Sequence, residues 1–204
     1  MHPSSKHTRA FTFIELLVAM TLVAILASIA YPVIISIMER ARKTQAKNDL
    51  TQIVTAVNGY YTEYGKYPLA PDDSTIASNA DLFFTLRAVA AAGSANANDA
   101  ANPRKIVFIQ PPDSKVSNPA LAGIDPTASS PTFGAWFDPW GSQYQIRIDG
   151  TYDNQIPNPY TTDTGAGPDP LTQGVIGWSL GKDVAGGSGN KDSGTSADDV
   201  ISWQ

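Results

Sequence analysis

FTFIELLVAMTLVAILASIAYPVIISIM, from Phe11 to Met38, is a run of 28 residues in which Glu15 carries the only charge. As a helix rising ~1.5 Å per residue it would reach ~42 Å, enough to cross a ~30 Å hydrocarbon layer. The run therefore reads as a membrane helix. A carboxylate inside such a segment costs at least ~2.5 kcal/mol and ordinarily has a functional partner, so Glu15 asks for one. Pro32 has no amide to donate and is expected to kink the helix or let it unwind locally.

Three readings account for the run. A plain single-span anchor fits its length but leaves Glu15 without a role. A secretory signal peptide fits the basic leader, with Lys6 and Arg9, and a cleavage site near Ser28 and Ala30. Against it, the apolar run continues to Met38 and an acid opens it. In the third reading the leader is cut before the helix, which then stays on the mature chain.

Composition sets outer bounds. The 204 residues, 42% hydrophobic with 16 Gly and 15 Pro, suffice for an anchor and one modest globular domain rich in loop. Net charge is −5, and loss of the two leader cations, Lys6 and Arg9, takes it to −7. With no basic stripe, nucleic acid is excluded as a direct partner. There is no cysteine, hence no disulfide framework and no thiolate metal site. The two histidines, His2 and His7, lie in the leader, and no nucleophile elbow, P-loop or dinucleotide fingerprint follows. These absences argue against an enzyme.

Beyond the apolar run, Ala46, Leu50, Ile53, Val54, Val57, Tyr60, Tyr61 and Tyr64 recur at steps of three and four, one face of an amphipathic helix over 39–64. Arg42, Lys43, Lys47 and Asp49 fall mostly off that face. Residues 69–130 are less regular. Asn79–Ala92 reads as a second helix, Ser94–Pro103 as a loop, and Lys105–Gln110 as a strand closed by Pro111 and Pro112. Tyr144–Ile148 and Val175–Leu180 read as strands, and Tyr152–Pro170 as an exposed loop rich in Pro, Asn, Asp and Gly.

Arg9-Ala10-Phe11-Thr12-Phe13-Ile14-Glu15 resembles the prepilin cleavage and methylation motif, with Ala10 where the family more often has Gly. Pro32 falls where type IV pilins and type II secretion pseudopilins commonly carry a proline. Tyr64-Gly65-Lys66-Tyr67-Pro68 is similar to the Gly-x-Tyr-Pro that follows the long helix in major pseudopilins. Asp138-Pro139-Trp140-Gly141-Ser142-Gln143-Tyr144 is similar to their Asp-Pro-Trp-Gly-x-x-Tyr, a turn that Pro139 presets and in which Gly141 is expected to allow a positive φ. The resemblance does not cover residues 69–130. It implies an α+β, type IV pilin-like fold: a long N-terminal helix, transmembrane then amphipathic, packed on a small antiparallel sheet. The implied organisation is a cleaved leader 1–10, an assembly helix 11–38 and a periplasmic domain 39–204, with helix 39–64, a variable region 69–130, and the sheet and calcium loop in 137–204.

The same resemblance implies cutting between Ala10 and Phe11 by prepilin peptidase and N-methylation of Phe11. A single-pass protein of the bacterial inner membrane results, leader in the cytoplasm. In assembly Glu15 of one subunit would meet the Phe11 amine of another, and register errors would strand a buried charge. The implied role is a structural subunit of a type II secretion pseudopilus. Its partners would be further copies of itself, other pseudopilins and the inner-membrane secretion platform. A type IV pilus or minor pseudopilin subunit stays open, as does a membrane-anchored binding module that never polymerises.

The last segment carries the candidate metal site. Gly181 to Asp192 is glycine-rich and acidic, and Asp198 and Asp199 close it. Ca²⁺ takes six to eight oxygens from carboxylates, carbonyls and water, and such a loop can supply them. It departs from the EF-hand pattern and resembles the calcium loop of major pseudopilins, with Val184 replacing a Gly. By that resemblance Asp183, Asp198 and Asp199 are side-chain ligands to a structural Ca²⁺. The Leu180 and Lys182 carbonyls join them, and Asn190 and Asp192 are secondary candidates.

Overall fold

The computed structural model describes residues 11–76, 78–115, 120–160 and 164–204. The leader and Ala10, on which the expected cleavage depends, lie outside them. The elements are α1 (Phe13–Tyr64), α2 (Ala80–Leu86), β1 (Gly123–Ile124), β2 (Trp136–Phe137), β3 (Gln145–Ile148), β4 (Val175–Ser179) and β5 (Val200–Ile201). The chain divides into two compact units, one ending at Ala41 and one running Arg42–Gln204.

In the first unit α1 is apolar enough and long enough to cross a membrane. Phe13, Leu17, Leu22, Leu26, Ile29 and Ile34 are all exposed, so apolar side chains face out all round. Such a helix needs lipid or other helices around it. It continues as α-helix through Pro32 without unwinding.

In the second unit α1 buries one face. Ala46, Leu50, Ile53, Val57 and Tyr60 pack with Leu82, Phe83 and Leu86 of α2 and with Ile146, Ile148 and Val175 of the sheet. β3, β4 and β5 form an antiparallel sheet in that order, with Gln145 opposite Trp178 and Trp178 opposite Ile201. β1 and β2 pair separately. A second small core gathers Ile156, Tyr160, Ala166, Leu171, Trp178 and Ile201.

Several expectations are corrected. α2 stops at Leu86, not Ala92, because Ala88 is left-handed at φ 56° and the amides of Ala88 and Val89 bond back to the Thr85 and Phe84 carbonyls, a Schellman ending. Lys105–Gln110 is no strand, since Asn102 takes both the Ile106 amide and its carbonyl. The stretch from Tyr152 to Pro170 is only partly exposed, because Ile156, Tyr160 and Ala166 are fully buried. Asp49, expected off the packed face, is buried and accepts the Tyr144 hydroxyl at 2.8 Å. Tyr61, expected on that face, is 40% exposed.

Candidate functional site

Two places carry the chemistry expected of the sequence. At the start of α1, Glu15 Oε2 accepts both the amide and the hydroxyl of Thr12, each at 2.8 Å, and the Glu15 amide donates to Thr12 Oγ1 at 3.3 Å. This is a capping box, which satisfies donors that open every helix. Its signature, Thr12-x-x-Glu15, is plain in the sequence and was not part of the reading of Glu15. Glu15 is exposed, and among the described residues only its Oε2 accepts hydrogen bonds.

At the other end of the chain, β4 runs through Ser179 into the glycine loop. Asp198 Oδ2 turns back on the loop's entry, accepting the Lys182 amide at 2.5 Å and the Asp183 amide at 3.2 Å. Gly181, at φ 66°, permits this, since a Cβ there would lie 2.7 Å from the Asp198 carboxylate. Asp199 Oδ2 accepts the Tyr160 hydroxyl at 2.7 Å and the Gly187 amide at 2.8 Å. Among the described residues, Asp199 Oδ1 is buried with no donor. Burial pushes the Asp199 carboxyl above its ordinary range, partly offset by those two hydrogen bonds.

The expected ligands thus divide. Asp198 and Asp199 point into the loop. Asp183 and Asn190 are exposed and each holds a local turn, Asp183 through the Ala185 amide and Asn190 through the Asp192 amide. Asp183, Asp198 and Asp199 do not close within 4.8 Å of one another; among the described residues Asp73, Asp149 and Asp153 do. Asp183 is therefore a peripheral ligand at most in this arrangement. A Cβ on Gly186 would lie 2.9 Å from the Thr195 carbonyl and 2.7 and 3.0 Å from the two Asp199 oxygens, so the arms of the loop close on a glycine that admits no side chain. Asp199 Oδ1, buried without a donor among the described residues, fits the donor chemistry of a hard cation.

Between the two lies the Asp138 turn. Asp138 Oδ1 accepts the amides of Trp140, Gly141 and Ser142 at 2.8–2.9 Å, and Oδ2 accepts the Ser179 hydroxyl. Gly141, at φ 99°, supplies the positive φ expected of it. The turn thereby locks β4 at the residue from which the glycine loop departs.

The family described as "Prokaryotic N-terminal methylation motif" matches residues 5–31. The "Type IV major pilin protein PilA" of Myxococcus xanthus (strain DK1622) is 31% identical over 94 residues, which are 46% of this chain and 43% of the relative. The chain is similar to a type IV pilin. The motif reaches into α1 only as far as Tyr31, and the chain spans under half the length of the curated relative it matches. No solved structure matches this pilin-like chain.

Proposed function

We propose that this chain is a structural subunit of a type II secretion pseudopilus, polymerising through its N-terminal helix to support export across the outer membrane. The observation that carries the reading is an α1 whose first unit is apolar on every side, opened by a single carboxylate held at the very start of the helix. Polymerisation covers that surface with the same surface of other copies. The amine freed at Phe11 is the cation that Glu15 lacks, and in low dielectric the pairing sets axial register. The Asp138 turn and the glycine loop support the pseudopilin reading. A second reading, a type IV pilus subunit, is favoured by the similarity to a type IV major pilin.

The loop at the C-terminus holds a structural Ca²⁺ in this reading. Asp199 and Asp198 would ligate it, with the Leu180 and Lys182 carbonyls as oxygen donors and Asp183 outermost. The ion supplies charge to a buried carboxylate oxygen and clips a long loop in a chain that has no cysteine.

Intact mass of the mature chain, combined with crosslinking in cells, tests the function. The expected result is a chain that starts at N-methylated Phe11 and crosslinks into a ladder, with Glu15→Val processed normally but absent from the ladder. An unprocessed Met1, or a normal ladder from Glu15→Val, refutes it. Deleting the gene then separates the two readings: a pseudopilin loses secreted protein from the medium, a pilus subunit loses surface fibres.

A further inference from the structure

Two corners of the second unit differ sharply in charge. At one, α1 and β5 bound a cleft of ≈ 430 Å³ whose charged lining is Lys43, Lys47 and Lys191 against the single acid Asp199. The Lys47 ammonium is taken up by the Ile201 and Ser202 carbonyls at 2.8 and 3.3 Å and by the Gln204 carbonyl. Lys43 is exposed, and among the described residues neither it nor Lys191 forms an ion pair within 4 Å.

At the other corner Asp73, Asp149 and Asp153 bring carboxylate oxygens within 4.8 Å of one another, and Asp72 is exposed beside them. Tyr61, Tyr67 and Tyr152 stack there, with ring centroids 4.5 and 5.6 Å apart and Tyr152 50% exposed. Carboxylates beside exposed aromatic faces make a surface for ammonium groups. The two corners are diagonal. Asp149 follows the end of β3, where Ile148 pairs with Val175 at the start of β4; the basic cleft adjoins β5, where Val200 pairs with Ser179 at the end of β4. Along α1, Lys43 and Tyr61 are separated by ~27 Å.

We propose that these corners dock onto each other between copies of this chain, the Lys43 and Lys191 cleft of one subunit receiving the Asp72, Asp73 and Asp153 corner of another. The inference rests on the filament reading. Copies of a mature chain with net charge −7 repel one another when set side by side, and placing Lys43 and Lys191, the second of which acts within its own subunit on Asp199, against the acidic corner reverses the local sign. Unlike patches on diagonal corners make a heterologous contact, which propagates as an open helix when the rotation does not close.

The chain has no cysteine, so disulfide trapping is clean. Asn48→Cys with Gln155→Cys in one full-length chain, oxidised in cells, is expected to give a ladder beyond dimer, whereas either substitution alone gives none. Lys43→Glu with Lys191→Glu, and Asp73→Lys with Asp153→Lys, are each expected to cut polymer yield about tenfold, as several like-charge contacts require. All four reversals in one chain are expected to restore it. A missing disulfide ladder while the cysteine-free chain still forms Glu15-dependent polymer overturns the proposal and leaves the filament reading standing. Absence of any polymer from the unmodified chain refutes the filament reading and the docking with it. A defect confined to the lysine reversal, not rescued by the aspartate reversal, assigns the lysines to anionic lipid headgroups and overturns the contact between copies.

Discussion

Asp138 and Asp199 are both buried aspartates beside glycine turns, one bonded to the end of β4 and the other closing the loop that leaves it, yet their surroundings differ. Asp138 has four donors, three amides and a hydroxyl, spread over both oxygens. Asp199 has two, both on Oδ2, and its Oδ1 has none. Burial raises the carboxyl of each above its ordinary range. A carboxylate surrounded by its own chain is a structural element complete in itself. One left half-served is completed from outside, by a cation or a proton.

The largest expected effect falls on the complete site. Asp138→Ala strips the partner from four donors at once, two buried and two part-buried, a loss of ~3–5 kcal/mol, so the melting temperature of a 39–204 fragment should drop by about 10 °C or more. Calcium should not rescue it. A drop of a degree or two would erase the distinction between the two aspartates.

The half-served site should respond to metal instead. Calcium at a hundredfold excess over Kd stabilises by about 2.7 kcal/mol, visible as a rise in melting temperature that chelator reverses. Asp199→Asn should abolish the rise, Asp183→Ala should reduce it, and Asp153→Asn should leave it intact. An unchanged melting temperature with and without chelator would reduce the loop to a solvated tail.

Asp49 sharpens the comparison as a third buried aspartate, with the Tyr144 hydroxyl as its donor. Burial raises its pKa to about 6, the hydrogen bond opposing and the Asp138 charge adding. Because the folded value lies above the unfolded one, protonation stabilises the fold; that contribution is full below the unfolded pKa near 4 and is lost as pH rises through about 6. Stability should therefore increase by about 1–2 kcal/mol between pH 7.5 and pH 5. Asp49→Asn should flatten that segment of a melting-temperature profile against pH. A profile unaltered by the substitution would place the titration elsewhere.

The elements legible in the sequence were those whose signal is local. The apolar run, the Ala46 to Val57 periodicity, the strand Val175–Ser179 and the positive φ of Gly141 need no knowledge of distant residues. What escaped depends on partners far along the chain. Asp49 sits among apolar neighbours on α1, and only the Tyr144 hydroxyl, 95 residues away, makes its burial tolerable. Lys105–Gln110 has strand composition, but Asn102 occupies the backbone groups a neighbouring strand would need. The stretch after Tyr152 looked solvated because Pro, Asn and Gly dominate it, while Ile156 and Tyr160 carry it inward. In the candidate site, the resemblance pointed to Asp183, Asp198 and Asp199; the Tyr160 hydroxyl that holds Asp199 is a contribution of tertiary folding alone.

The hydrogen bond from Tyr160 to Asp199 has a mechanical consequence. Tyr160 belongs to the small core with Ile156, Leu171 and Trp178, which is distinct from the main one under α1. Two loops far apart in sequence, around residue 160 and around residue 190, therefore share one keystone. Pulling on either loads the same carboxylate, so this edge of the subunit yields as a unit or holds as a unit, while the spine beneath it keeps its own packing.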